Sequence, residues 1–478
     1  MKPLLFLLMT SLFLVTASGQ DQAERLYDNA VTFLNAGKIK EANTDFERVI
    51  TNYADSPWAP KALLELGNYY LTQEKDHVRA LTFFVKIQDT YAESPDAAAA
   101  YYYKALIIEQ HGNSQDDLNA AVSDLVRMGN LYPGNAWHSA SQFLQGKLQF
   151  RLGDYDQSLS FFQRLEFVTP NSPQLPEALL FSAKAAYLKG QSDRASVVLS
   201  RLQARYPNSP EATLAASWLR LISRFTEKSM NFQTDRSFFG ATPKKFSSPE
   251  SILVAPNGTI AIRDKKGAYL YALSGGAAVE TLSGKDLTDF CVDHRGRLML
   301  VYKSRIISSD KQVSYSGLNG PKGELKGLSS AAVDTFGRLF VVDSGARDLI
   351  AFTQSGDMIQ AFNLNRPRLV RTLGAEVWVL DDDAGRLKKY TAALQPTNHS
   401  IPDMKDIEDF RFDAFNNLYV LFDRGYQVAI FDPTGQQRFT ANIKNGSFPL
   451  KQAQAISADA SGAFYLSDKR GGAIFRFY

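Results

Sequence analysis

Two internal repeats with different hydrophobic periods occupy almost the whole chain and constrain its fold more than any other feature. The first extends to about Phe225 with the period of an α-helix, and the second extends from about Pro249 with the period of a β-strand. Units of this length bury their apolar faces only by stacking on neighbouring units. The sequence therefore predicts two repeat domains, and this pairing favours binding over catalysis.

The helical repeat is marked by the recurring phrase Tyr-x-x-Ser-Pro. Strong copies end at Pro57, Pro95 and Pro210, and weaker copies lie at residues 131–135 and 168–173. A spacing of about 37 to 40 residues accommodates a helix, a turn, a second helix and a connector. We predict about five helix pairs, followed by a closing helix over residues 211–225.

Small residues recur where the two helices of one unit must approach closely. Gly146 and Ala183 lie about eight places into their copies, and Ala195 lies at about the twentieth place. This pattern resembles the tetratricopeptide repeat, and residues 206–212 resemble its variety in envelope proteins such as outer-membrane assembly lipoproteins and the Tol-Pal coordinator. The resemblance implies an all-α solenoid whose concave groove binds protein.

The strand repeat consists of an apolar strand, a turn centred on Gly or Asn, and a second apolar strand. Its copies cover residues 252–262, 290–301, 331–342, 370–380, 410–421 and 456–466. Six units at roughly 40 residues each predict an all-β propeller with six blades of four strands. The pattern resembles the NHL family of six-bladed propellers, most clearly at residues 333–343. We expect four aspartates to cap the turn amides: Asp293, Asp334, Asp413 and Asp459.

The two ends of the propeller predict how the ring closes. The last unit stops at residues 474–478, which form its third strand, so another segment must supply the fourth. Phe232 to Gly240 is the candidate, because its pairing with the C-terminal strand removes an exposed edge. The predicted organisation is a signal peptide at 1–19, a solenoid at 20–225, a linker with the closing strand at 226–248 and the propeller at 249–478.

The first twenty residues indicate export. Lys2, an apolar run from Leu4 to Val15 and the small residues up to Gly19 are typical of a secretory signal peptide cleaved after Gly19. We expect no lipid attachment there, since no cysteine is near, and no transmembrane segment elsewhere. The predicted location is periplasmic or secreted. Cys291 is the sole cysteine, and we interpret it as a small core residue.

Charge and motif content argue against several classes of function. The formal charge is +3 over 478 residues, and the cations are mixed with acids, so we expect no nucleic-acid binding. The histidines lack metal-ligand spacing, and no phosphate-binding loop or nucleophile elbow is present. We therefore predict no catalytic residues, no cofactor and no bound metal.

One enzyme hypothesis stays open in the axial channel of the propeller. The residues that begin the innermost strands align as Ser251, Asp289, Ser330, Val370, Asp409 and Ala455. Asp289 and Asp409 come from opposite blades, and two carboxylates can contribute to a calcium site. Propeller lactonases, which this architecture resembles, hold calcium at that position. A metal-dependent hydrolase or lactonase near Asp289 and Asp409 is therefore the alternative function.

The favoured hypothesis is partner binding by both domains. Loops after the second strand of each blade form a ring of mixed charge, although Asp343 with Arg347 and Asp381 with Arg386 can instead lock neighbouring blades. The solenoid groove offers amides and aromatics to an extended partner. The predicted partner-binding residues are Asn35, Asn68, Lys184 and Tyr187 in the groove, and Lys265, Lys266, Lys469 and Arg470 on the propeller.

These predictions describe an exported, non-catalytic scaffold with two binding arms. The expected partners are other proteins of the bacterial envelope, with peripheral association at an outer-membrane complex. Fold alone does not identify those partners.

Overall fold

The computed structural model describes residues 22–112, 114–227, 232–235, 246–275, 278–382, 386–399, 401–443 and 450–478. The predicted signal peptide and its cleavage point after Gly19 lie outside these ranges, as do residues 236–240 of the predicted closing segment. All structural statements below concern the described residues.

The helical region contains eleven helices in the described part of the chain. Their bounds are 22–35 (α1), Ile39–Asn52 (α2), Trp58–Thr72 (α3), His77–Thr90 (α4), Asp96–His111 (α5), Gln115–Leu131 (α6), His138–Leu152 (α7), Tyr155–Val168 (α8), Leu175–Leu188 (α9), Ser192–Arg205 (α10) and Pro210–Thr226 (α11). Five pairs and a closing helix are present, so the predicted solenoid is confirmed. None of these helices combines the length and apolarity that a membrane span requires.

The repeat sequence explains where the helices begin and how they pack. Asp76 and Ser209 cap α4 and α11, their side chains accepting hydrogen bonds from the amides of Arg79 and Ala212. Gly67 allows α3 to approach α4, because a Cβ atom at this position would lie 2.5 Å from the Phe84 ring.

The strand region forms six sheets of four antiparallel strands. Blade 1 contains Pro249–Val254 (β2), Ile260–Asp264 (β3), Gly267–Tyr271 (β4) and Glu280–Leu282 (β5). Blade 2 contains Leu287–Val292 (β6), Leu298–Tyr302 (β7), Arg305–Ser308 (β8) and Ser314–Ser316 (β9). A hairpin of Asn319–Gly320 (β10) and Gly323–Glu324 (β11) precedes blade 3, which contains Leu328–Val333 (β12), Leu339–Asp343 (β13), Asp348–Phe352 (β14) and Met358–Asn363 (β15).

The remaining blades follow the same order. Blade 4 contains Pro367–Leu373 (β16), Glu376–Asp381 (β17), Arg386–Tyr390 (β18) and Pro396–Thr397 (β19). Blade 5 contains Asp409–Phe412 (β20), Leu418–Phe422 (β21), Gln427–Phe431 (β22) and Gln437–Asn442 (β23). Blade 6 contains Ala453–Ala458 (β24), Phe464–Asp468 (β25) and Ala473–Phe477 (β26), with Thr234–Asp235 (β1) as its outermost strand. The predicted six-bladed propeller is confirmed.

Strand β1 joins the two ends of the propeller sequence. Thr234 pairs with Phe477, and Gln233 and Tyr478 exchange backbone hydrogen bonds of 2.9 and 3.0 Å. This is the pairing predicted for the start of the 232–240 segment. It supplies the fourth strand of blade 6 and covers the edge of β26.

The four turn aspartates cap their turns as expected. Asp334 Oδ1, for example, accepts hydrogen bonds of 2.9 Å from the amides of both Phe336 and Arg338. Corresponding pairs of bonds are present at Asp293, Asp413 and Asp459. These side chains are therefore part of the fold and not of a separate site.

Residue contacts divide the chain into two compact units. Of the described residues, unit 1 comprises 22–112, 116–148 and 164–172, and unit 2 comprises 114–115, 149–163 and those from 173 onward. Helices α9 to α11 thus belong to the same unit as the propeller. The sequence boundaries at residues 225 and 249 separate the two kinds of repeat, whereas the boundary between the compact units lies within α7 and α8.

Within unit 2, α9 and α11 pack on one face of the propeller. We name this the turn face, because it carries the turns that join the first and second strands of each blade. Tyr187 and Trp218 both make edge-to-face contacts with the Phe415 ring, at centroid distances of 4.8 and 4.7 Å. The opposite loop face carries the loops that follow the second strands, such as residues 265–266 and 469–472.

Candidate functional site

The strand register defines a ring of six residues around the propeller axis. Its members follow the β-bulge, or the equivalent position, of each innermost strand: Ser251, Asp289, Ser330, Leu369, Asp409 and Ala455. The predicted member from blade 4, Val370, is wrong by one residue. Arg368 is the bulge residue there, and Leu369 pairs with Leu380 just as Ser251 pairs with Arg263. The turn after this strand has two residues, 374–375, in place of the five at 255–259 in blade 1, so the strand cannot be aligned with the others by its turn.

The two axial carboxylates converge on arginine. Asp289 Oδ2 lies 2.7 Å from Arg371 Nη1 and accepts a 2.7 Å hydrogen bond from Ser330 Oγ. Arg371 Nη2 lies 3.5 Å from Asp409 Oδ1, and Arg411 Nη2 lies 3.3 Å from Asp289 Oδ1. Asp289 and Arg371 are 2% and 6% exposed, so this is a buried network of two acids and two bases.

Burial and ion pairing have opposite effects on these groups. Burial raises the pKa of Asp289, but the Arg371 and Arg411 guanidinium groups outweigh it, so the pKa of Asp289 is lowered overall. Burial lowers the pKa of Arg371, whereas Asp289 and Asp409 raise it, and the overall direction is upward. Asp289 is therefore held as a carboxylate and is not available as a general acid.

This arrangement does not favour the metal site of the alternative hypothesis. Asp289 and Asp409 do converge, but the positive charge beside them is the guanidinium of Arg371. Among the described residues, no cluster of three or more His, Cys, Asp or Glu side chains has the geometry to hold a metal ion. The axial donor set therefore fits a structural ion-pair network better than a calcium site.

The sequence contained a signal for Arg371 and Arg411, because both are charged residues within largely apolar strands. Arg371 and Arg411 lie two places beyond the axial ring in blades 4 and 5, so their side chains share one level of the channel. Cys291 lies at the same level of blade 2 and is buried, and burial raises the pKa of its thiol to about 12. A cysteine with that pKa stays protonated and unreactive near neutral pH.

A cavity of about 400 Å³ opens above the network on the loop face. Its rim is polar and internally paired: Arg263 Nη1 lies 2.6 Å from Glu250 Oε2, and Arg368 Nε lies 3.0 Å from both carboxylate oxygens of Asp382. Arg368 also donates to the carbonyls of Ile407 and Glu408 over 2.8 Å. The rim therefore presents fixed, nearly balanced charges.

The four propeller residues predicted to bind a partner lie beside this cavity. Lys265, Lys266, Lys469 and Arg470 are all exposed on the loop face. Lys469 Nζ lies 3.7 Å from Glu250 Oε1, so this lysine is ion-paired to the rim. These side chains extend the mixed charge of the rim outward.

The aspartates that end the second strands tie each blade to the segment entering it. Asp264 accepts a hydrogen bond of 3.0 Å from the Ser247 amide, and Asp468 accepts one of 2.9 Å from the Lys451 amide. The cationic partners differ from those predicted, because Lys388 lies 2.7 Å from Asp381 and Arg386 lies 2.9 Å from Asp403.

The predicted groove residues divide between the two units. Asn35 is exposed at the end of α1, and Asn68 is half-buried in α3, where its Oδ1 has no hydrogen-bond partner within the described chain. Tyr187 is only 5% exposed, and its hydroxyl donates a 3.0 Å hydrogen bond to Asn417 Oδ1. The prediction of an open Tyr187 is therefore wrong, because the turn face of the propeller covers it. Lys184 lines a cavity at this same face.

Comparison with protein families supports the assignment of the helical region. Residues 19–134 match the YfiO family, described as outer membrane lipoprotein. Residues 140–166 and 177–209 match the tetratricopeptide repeat. The protein is thus a tetratricopeptide-type solenoid with YfiO similarity in its first part, followed by a six-bladed propeller. No significant match was found among curated protein sequences.

Several solved structures are similar to about half of this chain. A streptogramin B lyase is 13% identical, with a TM-score of 0.38, covering 53% of this chain and 99% of its own. A putative gluconolactonase is 13% identical, with a TM-score of 0.41 and coverage of 52% and 91%. An auxiliary nutrient binding protein from Bacteroides ovatus is 10% identical, with a TM-score of 0.39 and coverage of 52% and 76%. Similarity at this level carries no argument about activity.

Proposed function

We propose that this protein is an exported, non-catalytic scaffold of the bacterial cell envelope, with one binding surface in the solenoid groove of unit 1 and another on the loop face of the propeller. The envelope location is supported by the match of residues 19–134 to a family described as outer membrane lipoprotein. The tetratricopeptide repeat matches residues 140–166 and 177–209, and the helix pairs of unit 1 repeat the same architecture, which supports a binding role for its groove.

The observation that carries the proposal is the axial network. A hydrolase that uses Asp289 and Asp409 needs a cation or a proton between them, and Arg371 already neutralises both carboxylates. The rim pairs Arg263 with Glu250 and Arg368 with Asp382, so the network and its rim suit the orientation and recognition of a partner better than acid–base chemistry. The metal-dependent hydrolase is therefore the less favoured function.

The loop face is the better propeller surface because the turn face is covered by helices of its own unit. Lys265, Lys266 and Arg470 are exposed there, around a rim of fixed charge. Such a surface suits a polar protein epitope, for which charge complementarity sets orientation and association rate. The solenoid partner would contact the exposed side chain of Asn35 and the accessible part of Asn68.

Site-specific crosslinking in the producing cell tests this function. A photoreactive amino acid at Asn35 or at Arg470 should give discrete adducts with envelope proteins, and the two positions should capture different partners. Lys311 is the matched control, because it is exposed in the β8–β9 turn, away from the loop face. Identical adduct patterns at all three positions would contradict the proposal.

Charge reversal provides a second test on the intact protein. Lys265→Glu together with Lys266→Glu should reduce the association rate of the propeller partner about tenfold at low salt, and less at high salt. The yield of the crosslinked adduct formed from Asn35 should be unchanged in this variant. If the adducts formed from Asn35 and from Arg470 decreased equally, the variant would be acting on the whole fold.

A further inference from the structure

A second cavity lies at the turn face of the propeller, on the opposite side of the axial network from the loop face. It has a volume of about 420 Å³ and is bounded on the helix side by Lys184 of α9 and by Leu214 and Trp218 of α11. Its propeller wall is largely apolar and includes Leu253 and Phe412. All of these residues belong to unit 2.

Lys184 is the cation that α9 contributes to the wall of this cavity. Its ammonium lies 5.5 Å from the centre of the Phe150 ring and makes no salt bridge within the described residues. Burial lowers the pKa of Lys184 to about 8, with Asp413 acting in the opposite direction. A buried charge is costly unless a partner compensates it.

Asp413 is not free to be that partner. Its Oδ1 accepts hydrogen bonds from the amides of Phe415 and Asn417 at 2.8 and 3.0 Å, and its Oδ2 accepts one of 2.8 Å from Asn417 Nδ2. The other acids on the wall are engaged too, since Asp293 and Asp334 bind the guanidinium groups of Arg297 and Arg338.

The cavity wall has further donors that lack acceptors. Trp218 is 8% exposed, and its Nε1 has no hydrogen-bond partner within the described chain. The Nε atoms of Arg371 and Arg411, whose side chains also line the cavity, are likewise without partners there. The described wall thus combines a lysine that forms no direct ion pair with three N–H groups that lack acceptors, within a mostly apolar enclosure.

We propose that the turn-face cavity binds a small amphipathic organic anion, with its acidic group at Lys184 and its apolar body against Leu214, Trp218 and Phe412. The volume lies within the range of small-molecule sites, which are mostly apolar with a few polar anchors. Because the cavity is lined by both helices and propeller strands, the ligand would contact both parts of unit 2. This site is independent of the two proposed protein-binding surfaces.

Two fluorescent probes with the same apolar body separate charge recognition from apolar binding. The anion is 8-anilinonaphthalene-1-sulfonate, and the neutral analogue is N-phenyl-1-naphthylamine. We expect the anion to bind the intact protein saturably and Lys184→Met to weaken this binding about tenfold, the value of a charge-assisted hydrogen bond. The same Lys184→Met variant should change the dissociation constant of the neutral probe by less than about twofold.

Three further variants make the test specific to the cavity. Lys184→Arg keeps the charge and should retain most of the anion binding. Leu214→Trp fills the cavity and should abolish binding of both probes, whereas Lys265→Met on the loop face should change neither. Thermal unfolding of each variant establishes that it is folded.

Two results would overturn the proposal. One is the absence of saturable anion binding, which would mean that the cavity holds water alone. The other is anion binding that survives both Lys184→Met and Leu214→Trp, which would place the probe elsewhere on the surface.

Discussion

Arg371 Nη1 lies 2.7 Å from Asp289 Oδ2 at the centre of the propeller, and this contact joins the inner strands of blades 2 and 4. Both side chains are almost completely buried. The pair therefore ties together strands that are not neighbours around the ring, and it fixes the floor of the loop-face cavity.

Removing one member of this pair should strongly destabilise unit 2. We expect Arg371→Met to lower the free energy of unfolding by about 3 kcal/mol or more, because Asp289 then keeps the Ser330 hydrogen bond but only the more distant guanidinium, that of Arg411. The double variant with Asp289→Asn should recover part of the loss, since it removes one of the two carboxylates that Arg371 compensated. Hydrogen exchange of the strand amides under denaturant measures the effect.

The exposed pair of Arg424 and Asp406 is the matched control. Its atoms are 3.2 Å apart, but the side chains are 75% and 52% exposed. Arg424→Met should therefore change stability by less than about 1 kcal/mol. Equal losses of stability in Arg371→Met and Arg424→Met would show that the axial network contributes no more than an exposed ion pair.

The repeats and their turns could be predicted from the sequence because they depend on local pattern. Tyr-x-x-Ser-Pro phrases mark helix ends, and an aspartate before a turn binds amides two and four residues later, as Asp334 does. The closing strand was also predictable, since blade 6 lacked a fourth strand and an edge must be covered.

The candidate sites were less predictable because they depend on contacts between distant residues. Tyr187 reads as a groove residue of α9, yet its partner Asn417 is 230 positions away. In blade 4 the ring member is Leu369, and the two-residue turn at 374–375 lacks the longer turn motif by which blade 1 and its equivalents are aligned. Arg371 and Arg411 were visible as charged residues within apolar strands, but their partner Asp289 lies in another blade.

The hydrogen bond between Tyr187 and Asn417 should stabilise the packing of α9 on the turn face. Tyr187→Phe removes the hydroxyl and leaves Asn417 Oδ1 buried without its donor, which costs about 1 to 3 kcal/mol. The thermal unfolding of unit 2 should shift downward accordingly. Tyr69→Phe is a suitable control, because that hydroxyl bonds to Glu74 at an exposed position in unit 1. An unchanged transition for Tyr187→Phe would contradict the expected role.

The closing strand should be sensitive to loss of a single backbone donor. Gln233→Pro removes the N–H group that donates to the Tyr478 carbonyl over 2.9 Å. We expect β1 to detach and blade 6 to become susceptible to proteolysis near residues 473–477. Gln233→Ala keeps the N–H group and should leave cleavage unchanged. Equal resistance of both variants would mean that β1 does not hold the ring closed.

The stability of unit 2 should depend on pH through Lys184. Its pKa is about 8 in the folded protein and 10.5 in its usual state, so between these values the unfolded chain binds a proton that the folded chain does not. The contribution of Lys184 to the free energy of unfolding therefore rises with pH between 8 and 10.5, and it is lowest below pH 8. Lys184→Met removes the buried ammonium and should raise stability at pH 7 by about 2 kcal/mol, allowing for partial exposure of the side chain.

The other titratable groups on the same cavity wall must be separated from this effect. They are Asp293, His294, Asp334, Arg371, Arg411, Asp413 and Asp459. Burial raises the pKa of Asp413 to about 6, so its contribution falls as pH rises from 4 to 6, well below the Lys184 range. Denaturation curves of the unmodified protein and of Lys184→Met, measured from pH 7 to 10.5, should converge as pH rises, because the lysine becomes neutral in the folded state. Curves that stay parallel over this range would show that Lys184 is not the titrating group.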